Sequence, residues 1–181
     1  MSPISPFEEN LPKNQENYSP LTPLSFLTRT AEVFPERTAV IHGEIKRNWR
    51  ETLKRCTRLA SALKKKGVVQ GTTVSVMAPN VPELLEAHFS ILMTGGVLNA
   101  LNIRLEAETL AYILEHGESQ VLITDREFSP VIQKVLQQLE DPPLVIDIDD
   151  PMAEGGELLG EMDYEAFLKT GDEDFEWNLP E

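Results

Sequence analysis

Residues 74–101 read VSVMAPNVPELLEAHFSILMTGGVLNAL, and this stretch decides the fold. Val74 to Met77 is a short apolar run closed by Pro79 and Pro82. Residues 81–93 then place apolar side chains at helical spacing, and Gly95-Gly96 ends that pattern before a second apolar run from Val97 to Leu101. Strand, helix and strand in direct succession make a βαβ unit, whose strands run parallel because the helix carries the chain back to the starting edge. The alternation continues with a helix over residues 106–115, a strand at 121–123, a helix over 129–139 and a strand at 144–148. The expected class is α/β, a mostly parallel sheet flanked by helices. Each strand should be buried on both faces and so written as an unbroken apolar run.

Upstream, Pro3, Pro6, Pro12 and Pro20 stand among Glu, Asn and Ser, so residues 1–20 are expected to form an extended tail and order to begin near Leu21. Phe26, Leu27, Ala31 and Phe34 mark the apolar stripe of a short helix stopped by Pro35. Thr38 to Ile41 reads as a strand, followed by a turn at His42-Gly43-Glu44. In Asn48-Trp49-Arg50-Glu51 the Asn48 side chain can accept a bond from the Glu51 amide while the Glu51 carboxylate returns one, a capping box that starts a helix. That helix should run to about Lys66 with Leu53, Cys56, Leu59, Ala60 and Leu63 on one face. Gly67 lies at its C-terminal cap, and Lys64, Lys65 and Lys66 complement the negative end of its dipole.

With 41% hydrophobic and 25% charged residues, the 181-residue chain has globular composition and makes one domain or part of a larger one. It holds no run of about 18 apolar residues to span a bilayer, and its start lacks the basic and apolar regions of a signal peptide. With one cysteine it can form no internal disulfide, which suits a soluble, cytoplasmic protein without a transmembrane segment. The net charge of −14 is unevenly spread: residues 1–104 carry 13 Lys/Arg against 9 Asp/Glu, and residues 105–181 carry 3 against 21. So acidic a second half argues against nucleic acid as a partner and suggests a basic surface nearby in the complete protein. Nine Lys/Arg fall between Lys46 and Lys66. Without interleaved aromatics they read as a solvated helix face rather than a patch for a phosphate-bearing ligand.

The residues with chemistry to offer each have a structural reading. Cys56 sits among Leu53, Leu59, Ala60 and Leu63 and reads as a core residue, not a nucleophile. Gly95-Gly96 follows a helix rather than a strand, so it ends that helix and lets the next strand approach, and it is not a phosphate loop. Asp147, Asp149 and Asp150 close a strand, where carboxylates can hold Mg²⁺, but Pro151 and the lack of a phosphate loop favour a solvated turn. His42, His88 and His116 are too dispersed for a local zinc motif, and His88 beside Phe89 reads as a hydrogen-bonded core or pocket-lining histidine. No catalytic, cofactor-binding or metal-binding residue is assigned.

Several segments, in order, resemble the beginning of acyl-CoA synthetases of the adenylate-forming superfamily, in the branch of medium-chain fatty-acid and plant acyl-activating enzymes. They are residues 18–27, 34–40 and 58–63, Val76-Met77-Ala78-Pro79-Asn80-Val81-Pro82-Glu83, Glu86-Ala87-His88-Phe89, residues 98–105 and residues 163–168. Asn48 stands where the family more often has Thr, and Thr72 where it more often has Asp. The resemblance implies that residues 21–181 are the amino-terminal segment of the large AMP-binding domain, ending before the family's phosphate loop, its nucleotide-binding segments and its carboxy-terminal domain with the catalytic Lys. It further implies that the complete enzyme uses ATP, Mg²⁺ and CoA on a fatty acid, and that this segment is scaffold, inactive alone. Its partner would be the remainder of the synthetase or a second copy. Two alternatives stay open: a binding subunit for a separately encoded remainder, and a stand-alone nucleotide-sensing module, which a titration with ATP, NAD and FMN would separate.

Overall fold

A computed structural model describes residues 22–177; the tail expected over residues 1–20 lies outside them. The elements are α1 (Pro23–Val33), β1 (Thr38–His42), β2 (Ile45–Asn48), α2 (Trp49–Lys65), β3 (Thr73–Met77), α3 (Pro82–Met93), β4 (Val97–Ala100), α4 (Ala107–His116), β5 (Ser119–Asp125), α5 (Ser129–Leu136), β6 (Leu144–Ile148) and α6 (Tyr164–Lys169). β3 to β6 form a four-stranded, all-parallel sheet in the order β4-β3-β5-β6, so the α/β expectation holds.

Side-chain alternation along the strands sends the core two ways. Val74, Val76, Val121, Ile123, Ile146 and Ile148 face a layer built from α2, α3 and α6, while Met77 and Leu122 face α4 and α5. On the α1–α2–α3 side, Leu24, Leu27, Cys56, Ala60 and Met93 form a further buried cluster, against which Trp49, Phe175 and Trp177 pack.

The capping box forms as read: Glu51 N donates to Asn48 Oδ1 at 2.8 Å, and Asn48 N donates to Glu51 Oε2 at 2.8 Å. Gly67 takes φ +91° at the end of α2. Gly95 takes φ +80°, and a Cβ on Gly96 would lie 3.1 Å from the Thr72 carbonyl oxygen, so this pair does end α3 and admit β4.

Three local expectations fail, and one strand goes unread. β4 is not buried on both faces: as the sheet edge it has one neighbour, and Val97 is 49% exposed. Phe26 and Phe34 leave the α1 stripe, which is Leu24, Leu27 and Ala31; Phe34 instead lies under the Arg37 guanidinium, 4.9 Å from its ring centre. β2 was not foreseen as a strand, because Ile45-Lys46-Arg47-Asn48 carries one apolar side chain. It is recruited by antiparallel pairing with β1 across the turn at Gly43, which has φ +55°. α5 ends at Leu136, three residues early.

Candidate functional site

The basic stretch is a solvated face only in part, because Arg47 and Arg55 turn inward. Arg47 of β2 and Arg55 of α2 converge on Glu86 of α3, with Arg47 Nη1 donating to Glu86 Oε1 at 2.8 Å and Arg55 Nε to the same oxygen at 2.6 Å. Glu86 is 1% exposed, and its other oxygen accepts from the buried Tyr164 hydroxyl at 2.9 Å. Arg55 also forks onto Glu165, and Arg47 lies 3.6 Å from Glu83. A carboxylate buried this deeply needs cations and donors at bonding distance, so β2, α2, α3 and α6 are tied through one atom group. Burial pushes the Glu83 carboxyl above its usual range, with Glu86 adding to the push and Arg47 and Arg55 opposing it. The Arg55 guanidinium is held charged against burial by Glu165 and Glu86.

Further along α2, Lys54 and Arg58 pair with Glu173, and Lys65 pairs with Asp172 at 2.9 Å while donating to the Thr170 carbonyl oxygen at 2.7 Å. Ser61 Oγ accepts from the Asp172 amide at 3.0 Å. The acidic segment that follows α6 is thus strapped over α2. Six of the nine cations between Lys46 and Lys66, namely Arg47, Arg50, Lys54, Arg55, Arg58 and Lys65, thus pair with carboxylates of this chain, while Lys46, Lys64 and Lys66 are exposed.

An apolar groove of about 670 Å³ lies beside this cluster, between β1 and the face of α3 that carries Leu85, His88, Phe89 and Leu92. His88 is exposed at its wall, with Nδ1 2.7 Å from the Leu84 carbonyl oxygen, which fits the pocket-lining reading. His42 also lines the groove and places Nε2 3.1 Å from Asp150 Oδ1. His116 stacks on Tyr112 with ring centres 5.4 Å apart, away from both.

The three aspartates after β6 separate. Asp147 Oδ2 accepts from the Leu159 amide at 2.9 Å and from the Gly160 amide, Asp149 approaches Arg126 at 3.3 Å, and Asp150 takes His42 and the Met152 amide. Among the described residues no three His, Cys, Asp or Glu converge as a metal-binding group. Cys56 is fully buried, and burial pushes its thiol up, leaving no thiolate to react.

Sequence reasoning brought none of Arg47, Arg55, Glu83, Glu86, Tyr164 and Glu165 together. One signal was there: Glu83 and Glu86 occupy the stripe of α3 that also carries Ala87, Ser90 and Ile91, and acids on a buried stripe require cations opposite.

Residues 27–174 match the profile of the AMP-binding enzyme family. The chain belongs to that family. As an AMP-binding enzyme homologue it is 43% identical over 185 residues to an acetate–CoA ligase of Humulus lupulus, covering 96% of this chain and 33% of the relative. An acetate/butyrate–CoA ligase of Arabidopsis thaliana, named peroxisomal, is 43% identical over 95% of this chain and 32% of its own length. The chain therefore spans about a third of the length of these curated relatives. The anthranilate CoA ligase AuaEII, solved with anthranoyl-AMP, shares the fold with a TM-score of 0.76 at 22% identity, over 86% of this chain and 29% of that one. A long-chain-fatty-acid-CoA ligase of Archaeoglobus fulgidus gives a TM-score of 0.72 at 22% identity, over 89% and 32%. The resemblance drawn from the motifs to the amino-terminal part of acyl-CoA synthetases is borne out by these relatives. No helix among the described residues is long and apolar enough to cross a membrane.

Proposed function

We propose that this chain is the amino-terminal portion of an ATP-dependent acyl-CoA synthetase. The complete enzyme would join a small carboxylic acid to CoA through an acyl adenylate, releasing AMP and pyrophosphate. The observation that carries this reading is the 43% identity to the Humulus lupulus acetate–CoA ligase across nearly the whole chain. Three further relatives are named for butyrate, 2-methylpropanoate and trans-cinnamate, so the class, a monocarboxylate, is proposed without a chain length.

Within that enzyme, residues 21–181 are the first segment of the adenylate-forming domain and serve as scaffold. Carboxylate attack on the α-phosphate of ATP builds up negative charge that free cations and amide donors must stabilise. Arg47, Arg55, Arg58, Lys54 and Lys65 are already engaged by carboxylates of this chain. No step of the transfer is assigned to these paired cations. Their contribution is rigidity: the Glu86 cluster locks β2, α2, α3 and α6 together beside the groove. The proposed compartment is the cytoplasm, which imaging of a tagged chain in cells checks against the peroxisome.

The test is carboxylate-dependent exchange of labelled pyrophosphate into ATP, with acetate, butyrate and octanoate, and acyl-CoA formation alongside. The isolated chain should give neither; robust turnover by it alone refutes the scaffold role. Joined to the remaining two thirds of a relative, it should support both with at least one acid, and failure with every acid refutes the synthetase reading.

A further inference from the structure

The apolar groove lies where the described part of the chain begins. Pro23, the first residue of α1, lines it, together with Ile41 of β1 and the α3 row Leu85, His88, Phe89 and Leu92. Thr22 is buried at 7% exposure and takes extended dihedral angles, φ −128° and ψ 151°, so the backbone enters α1 from inside the fold rather than from solvent. Ser25 Oγ donates to the Thr22 carbonyl oxygen at 2.8 Å, which pins that entry. The rim of the groove is nevertheless open, with Ile41 67% and Leu85 37% exposed.

From this juxtaposition we propose that the groove is the seat of the chain's own residues 17–21, Asn-Tyr-Ser-Pro-Leu, which immediately precede Thr22. The proposal stands on the groove and the adjoining sequence and does not depend on the synthetase reading. Length, composition and tethering each support it. Four extended residues span about 13 Å, and the α3 wall from Leu85 to Leu92 rises about 10 Å, so residues 18–21 suffice to run its length. The segment carries no charge, so seating it desolvates no ion, and Tyr18 and Leu21 supply apolar area to match the lining. Pro20 has a fixed φ and no amide to leave unpaired, and extended proline-containing segments dock on aromatic walls such as the one that His88 and Phe89 form here. Joined to Pro23 through so few residues, the segment meets the groove at about millimolar effective concentration, so weak intrinsic affinity is enough.

The experiment digests the full 181-residue chain with chymotrypsin under native conditions and follows the cuts after Phe7 and Tyr18 by mass spectrometry, with a synthetic peptide of residues 1–22 as the unseated reference. Cutting tracks the open population, so Tyr18 should be cut at least about tenfold more slowly than in the peptide, while Phe7, outside the seated residues, should be cut as in the peptide. Ile41→Lys and Leu85→Lys each place a cation in the apolar seat, and Leu21→Asp places a charge on the incoming segment; each should return Tyr18 to the peptide rate. Ile41→Lys and Leu85→Lys replace exposed side chains, so circular dichroism should show the fold retained. Tyr112→Lys, on the exposed face of α4 outside the groove, should keep the wild-type protection. Light scattering on the same samples should show a monomer. The proposal is overturned if Tyr18 of the wild-type chain is cut at the peptide rate, if its protection survives Ile41→Lys and Leu85→Lys, or if protection appears only with a dimer of this chain that Ile41→Lys disrupts.

Discussion

Replacing Glu86 with Gln should be among the most costly single-atom-class changes in this chain. The substitution keeps shape and volume but removes the charge shared by Arg47, Arg55 and Tyr164, bonded at 2.8, 2.6 and 2.9 Å. Breaking a buried ion pair by deleting one partner costs about 3–5 kcal/mol, because the other charge stays desolvated. Here the two guanidiniums are 14% and 17% exposed, and each retains a second carboxylate, Arg47 with Glu83 and Arg55 with Glu165. That compensation places the loss at the lower end, about 3 kcal/mol. For a chain of this size, 1 kcal/mol moves the melting temperature by about 2–4 °C, so a drop of about 6–12 °C is expected. Urea unfolding at pH 7 measures the loss directly, provided the slope with denaturant is unchanged from wild type. A double-mutant cycle with Arg55→Met should show strong coupling, since Glu86→Gln has less to lose once one guanidinium is gone. A loss below about 1 kcal/mol, or additivity in the cycle, would refute the view that Glu86 ties these elements together.

Asn48→Ala should cost about 1 kcal/mol by removing the capping box of α2, while Asn48→Thr should be near neutral, both read from urea midpoints. Gly171→Ala should destabilise by about 1–3 kcal/mol, because its Cβ would sit 1.9 Å from the Arg58 carbonyl oxygen and lift the acidic strap; amide exchange over residues 163–177 should rise selectively. The strap itself should loosen in acid and in salt. For Asp172 a hydrogen bond from Lys65, and for Glu173 one from Lys54, lowers the carboxyl in the folded chain, and at Glu165 the Arg55 bond and charge outweigh burial. Groups with depressed values stabilise above their ordinary values of 3.8 to 4.5 and lose that contribution as pH falls through the folded values, so Trp177 fluorescence should change below about pH 4 and with 1 M NaCl. Cys56 should resist a thiol reagent such as DTNB in the folded protein and react fully in 6 M guanidinium; fast reaction without denaturant would contradict its sealed position.

What was legible in the sequence is what local physics determines. Val74 to Met77, residues 81–93 and Leu144 to Ile148 carry their own periodicity, and Asn48 with Glu51 carries both halves of a cap within four residues. The misses are residues whose state depends on distant neighbours. Val97 reads like a core strand residue, yet it lies at a sheet edge because of strand order. Ile45 to Asn48 becomes a strand only because β1 is beside it. The Glu86 cluster is the extreme case: Tyr164 lies 78 positions from Glu86, and Glu165 lies 110 from Arg55. No window of periodicity spans that distance.

The uneven charge shows how this non-local closure bears on function. The excess of Lys and Arg on α2 and of Asp and Glu near the end of the chain invited two separate readings, a ligand patch and a missing basic partner. In the fold they partly meet, because Glu165, Asp172 and Glu173 return across α2 and pair with Arg55, Lys54, Arg58 and Lys65. Cations already paired within the chain are less available to a nucleotide phosphate. The adjoining groove, by contrast, exposes Ile41 and Leu85 beside the β1–β2 hairpin, and exposed apolar area is what association buries. The electrostatics thus direct attention away from phosphate chemistry on α2 and toward apolar contact at β1 and α3.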